Sequence, residues 1–156
     1  MNDARRGLPT IDDLAELAAA LDATGPDEEL YVRWSKGPSA DLASGKAQSS
    51  RDDLTGVRLP GLSANPLRVE PWWRDRPVEV WLARRLYDYR HLSEQRGPAV
   101  RPWVLAGQEQ GRGPDNEPLV VCLRPVAWIS DGLLRESERI VAAQGSQEWG
   151  PLDRRG

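Results

Sequence analysis

The chain has 156 residues, 39% of them hydrophobic and 29% charged, with a formal net charge of −3. That is one soluble domain's length, and the acidic balance excludes a protein that holds nucleic acid through bulk positive charge. A single Cys and a single His exclude an internal disulfide and a Cys/His zinc site, which needs about four such ligands.

One globular domain is expected over residues 10–145, with flexible termini at 1–9 and 146–156. Thr10 reads as a helix cap, with Asp12 and Asp13 in the first turn and Leu14, Leu17, Ala18 and Leu21 at helical spacing. The spacing predicts a helix over 10–23. After the acidic turn Asp27-Glu28-Glu29, residues 30–34 are rich in β-formers and stop at Gly37-Pro38, so they read as a strand. Residues 36–60 form a polar stretch without periodicity, of a length that is either functional or mobile in a small domain. Pro60, Pro66 and Pro71 make the next segment extended, and Gly61-Leu62-Ser63 can supply a second strand there.

Asp75 and Pro77 open a helix predicted over 77–95, with Val78, Leu82, Leu86 and Tyr89 on one face and Gly97-Pro98 as its stop. Residues 101–107 read as a strand, 108–116 as a Gly-rich turn, and 119–123 and 126–129 as two further strands around Pro125. Ser130 or Asp131 caps a last helix over 131–144. The sum is an α+β domain: a twisted, mostly antiparallel sheet of about four to six strands with three helices packed on it. No run approaches the roughly 18 apolar residues of a membrane span, and residues 1–7 lack the apolar core of a signal peptide. With Cys122 reduced, a cytoplasmic location is expected.

Seven Trp stand beside three Tyr and no Phe. Trp81, Trp103 and Trp128 lie inside regular elements and read as core. Trp72 and Trp73 are adjacent in an extended segment and should point to opposite faces, which leaves one free for a ligand. Nineteen arginines against only Lys36 and Lys46 reflect a compositional bias or planar recognition of phosphate and carboxylate groups.

Most enzymatic constellations fail on spacing. His91 and Cys122 read as structural, and no Gly-x-Ser-x-Gly elbow is present. Gly107, Gly111 and Gly113 run toward a strand, where a dinucleotide fingerprint needs a helix. Gly56 and Gly61 have phosphate-loop spacing, but Leu62 stands in the place of the Lys.

Three segments remain: Tyr31-Val32-Arg33, Gly61-Leu62-Ser63 and Asp115-Asn116-Glu117, the last followed by Leu119-Val120-Val121. Their order and strand placement resemble the arginine–serine–glutamate class of the ADP-ribosyltransferase fold. The resemblance implies NAD as substrate, with Glu117 stabilising the oxocarbenium-like transition state and Asp115 positioning an acceptor or water. It also implies Arg33 gripping the pyrophosphate or ribose and Ser63 ordering the site. Arg follows Val32 instead of the aromatic directly, and Ala64-Asn65 replace hydroxyl residues after Ser63. The short Asp115 favours NAD hydrolysis over transfer.

Through Tyr31–Ser35, Leu59–Leu67, Glu70–Trp73, Arg84–Tyr89 and Gly111–Pro118 the chain also resembles an uncharacterised family of small actinobacterial proteins, which implies a stand-alone domain and no particular activity. The alternative to the enzyme is a non-catalytic protein that binds a nucleotide, another small molecule or a protein partner. Its groove would be lined by Trp34, Trp72, Trp73 and Trp103 with Arg33, Arg74, Arg76 and Arg101, residue types enriched at binding hot spots.

Overall fold

A computed structural model describes residues 8–25, 27–42, 61–73, 76–89, 99–112 and 118–144. Expectations placed on Gly56, Arg74, Asp75, His91, Gly97-Pro98, Asp115, Glu117 and residues 1–7 and 146–156 lie outside them. In chain order the elements are β1 (Thr10–Ile11), α1 (Leu14–Asp22), β2 (Glu29–Ser35), the single turn α2 (Pro38–Asp41), β3 (Leu62–Ser63) and β4 (Asn65–Pro66). A 3-10 turn (Pro71–Trp73), α3 (Val78–Tyr89), β5 (Arg101–Arg112), β6 (Pro118–Ile129) and α4 (Asp131–Gln144) follow.

The strands form one six-stranded sheet ordered β1-β6-β5-β2-β4, with β3 also on β6. Its pairings are antiparallel except β1 with β6. This is the expected α+β class. The segment 62–66 bends the sheet: Leu62-Ser63 pairs with Val120-Leu119, while Asn65-Pro66 pairs with Val32-Tyr31. One five-residue segment therefore joins the β6 side of the sheet to the β2 side, and the sheet must curl to let it.

Alternation along the strands then supplies two cores. Leu30, Val32, Val104, Ala106, Ala127 and Ile129 face the helices, where they meet Leu14 and Leu17 of α1, Trp81, Leu82 and Leu86 of α3, and Leu133 of α4. Tyr31, Trp103, Leu105, Val120 and Cys122 face into the curl with Leu62 and Ala64. Among the described residues no helix is long and apolar enough to cross a membrane.

Four expectations are corrected. Thr10 is not a helix cap: Thr10 and Ile11 pair with Trp128 and Ile129, and Asp13 caps α1 by accepting the Glu16 N–H at 2.9 Å. A ladder position beside β6 outweighs local helix propensity there. Residues 108–112 are not a turn, because β5 continues through Gly107 and Gly111 to Arg112; the rest of the expected turn lies outside the described residues. The strands around Pro125 are one strand, β6, in which three register shifts against β5 absorb the irregularity. At Gly107 one such shift brings Val121 so close that a Cβ would lie 2.4 Å from its carbonyl oxygen.

The fourth correction concerns Trp72 and Trp73, which sit in a 3-10 turn and not in an extended segment. Both therefore turn toward Trp81, with ring centroids 5.5 and 5.4 Å away in edge-to-face contact. Trp73 is fully buried, and its indole N–H donates to the Pro77 carbonyl at 3.1 Å.

Candidate functional site

Two places concentrate polar groups: the inside of the curl, and a cleft at the start of β2. The first is built by alternation on β2, which sends Tyr31, Arg33 and Ser35 toward the curl. Arg33 is 7% exposed, and a buried guanidinium requires compensating charge. Asp41, at the end of α2, supplies it: Arg33 Nε donates to Oδ2 at 2.6 Å and Nη2 to Oδ1 at 3.3 Å. Arg33 Nη1 donates to the Ser63 carbonyl at 2.8 Å, which ties β2 to β3 across the curl.

Ser35 completes the network. Its hydroxyl donates to Asp41 Oδ2 at 2.5 Å and accepts the Trp103 indole N–H at 2.9 Å and the Gly37 N–H at 3.1 Å. Gly37 makes the turn into α2 with φ +119°, and a Cβ there would stand 2.5 Å from the Trp128 ring. Only glycine fits both restrictions. Cys122, buried nearby, has its thiol pushed up to about 11, first by burial and then by the Asp41 carboxylate. It is therefore a protonated, inert core group at neutral pH.

The second place is an open cleft of about 640 Å³ between α1, the start of β2, Arg68-Val69 and the start of α3. Ala18, Leu21, Leu30, Val69 and Val78 form its apolar wall, and Asp22, Glu28, Glu29 and Arg68 its polar rim. A smaller recess of about 340 Å³ shares Glu28, Glu29 and Arg68 and adds Asp27 and Glu109. Glu28 is held by Arg124 at 3.2 Å. Glu29 Oε1 accepts the Tyr31 hydroxyl at 3.2 Å, and Arg68 Nη1 lies 2.9 Å from Oε2. Tyr31 is raised well above the ordinary phenol range, by burial first and by the Glu29 charge second. It remains a hydrogen-bond donor across the physiological range.

The residues singled out from sequence divide accordingly. Arg33 and Ser63 are brought into contact, and the guanidinium is turned to Asp41 inside the fold. Ser63 enters that contact through its backbone carbonyl. Trp34 is buried on β2 and Trp103 is fully buried, so neither lines an open groove. Arg76 and Arg101 stack on Trp73 and Trp128, at 4.8 and 4.5 Å from the ring centroids, and so cover core tryptophans. Asp115 and Glu117 lie outside the described residues. Pro118, next in the chain, accepts the Ala64 N–H at 3.3 Å, which brings the start of β6 to the β3–β4 segment.

Sequence reasoning missed Ser35, Asp41, Arg68 and Glu109. Asp41 fell in a stretch without periodicity, and nothing in the sequence pairs it with Arg33. Glu28 and Glu29 were visible as an acidic turn abutting a strand, a signal that a charged rim lies at that strand's start.

No curated protein and no solved structure gives a significant match. A family model does match, over residues 4–150, nearly the whole chain. The chain belongs to DUF6098, a family of unknown function.

Proposed function

We propose that the chain is a small-ligand-binding domain whose ligand sits in the cleft between α1, the start of β2 and α3. The observation that carries this reading is the cleft's construction: an open concavity of about 640 Å³ with an apolar wall and a few polar groups at one side. Ligand pockets have this anatomy and this range of volumes, roughly 300–1,000 Å³. This reading shares the non-catalytic class of the Arg/Trp-groove alternative but places the ligand against aliphatic side chains and carboxylates.

The test is a heteronuclear NMR titration with hexanol, a neutral probe with an apolar body. Shifts confined to the amides of Ala18, Leu21, Leu30 and Val69, and lost in Ala19→Trp, support the reading. Ala19 lines the cleft from an exposed helix position, so the bulkier side chain does not enter the core. Shifts elsewhere, or none, refute it.

A second reading, an NAD-cleaving ADP-ribosyltransferase-like domain, draws support from the Arg33–Ser63 contact and from the pairing of Ser63 with Leu119, two residues beyond Glu117. In this reading Glu117 and Asp115 carry the chemistry, and Arg33 positions the Ser63 strand instead of gripping phosphate. Nicotinamide release from NAD by the wild type, reduced by orders of magnitude in Glu117→Ala, is the expected result. Release that is absent, or indifferent to the substitution, ends this reading.

A further inference from the structure

We propose that Arg85 is the seat of an oxyanion, a carboxylate or phosphate carried on an aromatic body, at a site separate from the cleft. The helical repeat sets Arg85 between Trp81 and Leu82 around α3, and both of those side chains are fully buried. The guanidinium is therefore carried on the apolar side of the helix, and only 14% of the side chain is exposed. It lies over the Trp81 ring, 4.8 Å from the centroid. Neither Arg85 nor Trp72 is among the described lining residues of the cleft or its adjoining recess.

Stacking on a ring satisfies the face of a guanidinium but leaves the N–H groups in its plane in need of acceptors. Arg85 Nε is shut off from solvent and donates to no acceptor. Its ion pair among the described residues, Nη2 with Glu70, spans 4.0 Å, beyond hydrogen-bonding length, and Glu70 is 49% exposed. Other withdrawn arginines are answered at close range: Arg33 by Asp41 at 2.6 and 3.3 Å, and Arg84 by Asp88 at 2.8 Å. Arg85 thus has the burial of a structural arginine without its acceptors. An oxyanion supplies them, two oxygens matched to the guanidinium fork. Trp72 receives the body of the ligand: it is half-buried and meets Trp81 edge-to-face at 5.5 Å. Trp72 and the Arg85 guanidinium therefore rest on the same Trp81 ring, so an aromatic plane beside one brings its oxyanion to the other.

The experiment is an NMR titration of the full chain with benzoate, phenyl phosphate and benzamide. It is read at the Arg85 Nε–H and at the Trp81 indole N–H, which donates to the Leu67 carbonyl at 3.1 Å. At least one of the two anions should bind about fivefold or more tighter than benzamide, which keeps the ring and lacks the charge. The tighter anion identifies the head group. In Arg85→Met, whose native amide spectrum certifies folding, that preference should disappear. Glu70→Gln withdraws the competing carboxylate and should tighten the preferred anion about twofold to fivefold. The proposal is overturned if neither anion outbinds benzamide at these signals, or if Arg85→Met binds the anions as the wild type does. A Glu70→Gln chain that is less stable and no better at binding makes Arg85 half of a structural ion pair, and overturns it equally.

Discussion

Replacing Asp41 by Ala probes the arrangement inside the curl most directly. Arg33 is nearly fully buried, and the Asp41 carboxylate faces it through hydrogen bonds of 2.6 and 3.3 Å. Removing one partner of a buried pair strands the other charge away from water, a loss of about 3–5 kcal/mol. The Ser35 hydroxyl also loses its acceptor. For a chain of this size that loss lowers the melting temperature by roughly 6–20 °C. Urea denaturation followed by tryptophan fluorescence should show the midpoint falling with an unchanged slope.

Adding Arg33→Met to Asp41→Ala withdraws the stranded guanidinium. The double variant should therefore regain at least about 1 kcal/mol over Asp41→Ala alone. A loss below about 1 kcal/mol for Asp41→Ala, the level of an exposed ion pair, would refute the claim that this pair is buried and structural. So would simple additivity of the two changes.

Three further outcomes are expected. Gly37→Ala should destabilise by about 1–3 kcal/mol in the same urea assay, from its positive φ and the Trp128 ring 2.5 Å from the added Cβ. Trp73→Ala should lose about 3–5 kcal/mol and break the contacts with Trp72 and Trp81, read as a loss of near-ultraviolet circular dichroism. Cys122 has a folded thiol held near 11 against an ordinary 9.0, so its contribution is full below the ordinary value and is lost as pH rises from there through the folded value. The stability–pH curve should fall over that alkaline window, less steeply in Cys122→Ala, with the raised Tyr31 phenol accounting for part of the remaining slope.

The elements were legible wherever local pattern and tertiary need agree. Residues 30–34 are rich in β-formers and stop at Gly37-Pro38; 131–144 opens on a cap at Ser130 or Asp131. Both are dictated by short-range chemistry, so sequence alone sufficed for them and for the α+β class. The early end of β5 was misread because Gly107 signals a turn locally, whereas in the sheet the same lack of a side chain admits Val121 from the neighbouring strand. Trp72 and Trp73 were misread for a related reason: Trp81 draws both rings to one side, and that attraction is invisible to a rule about extended backbone.

The site divides along the same line. Composition alone set aside an internal disulfide and a Cys/His zinc site, because those need more Cys and His than the chain has. The family resemblance implied one site for Arg33 and Ser63, and the sequence showed Glu28 and Glu29 in an acidic turn before a strand. Only the tertiary structure decided that Arg33 faces Asp41 inside the curl and that Glu29 is held by Tyr31 and Arg68. Those facts depend on which side of a strand meets which distant segment. Alternation gives each side chain a face, but the curl made by residues 62–66 and the packing of α1 beside β2 determine what that face meets.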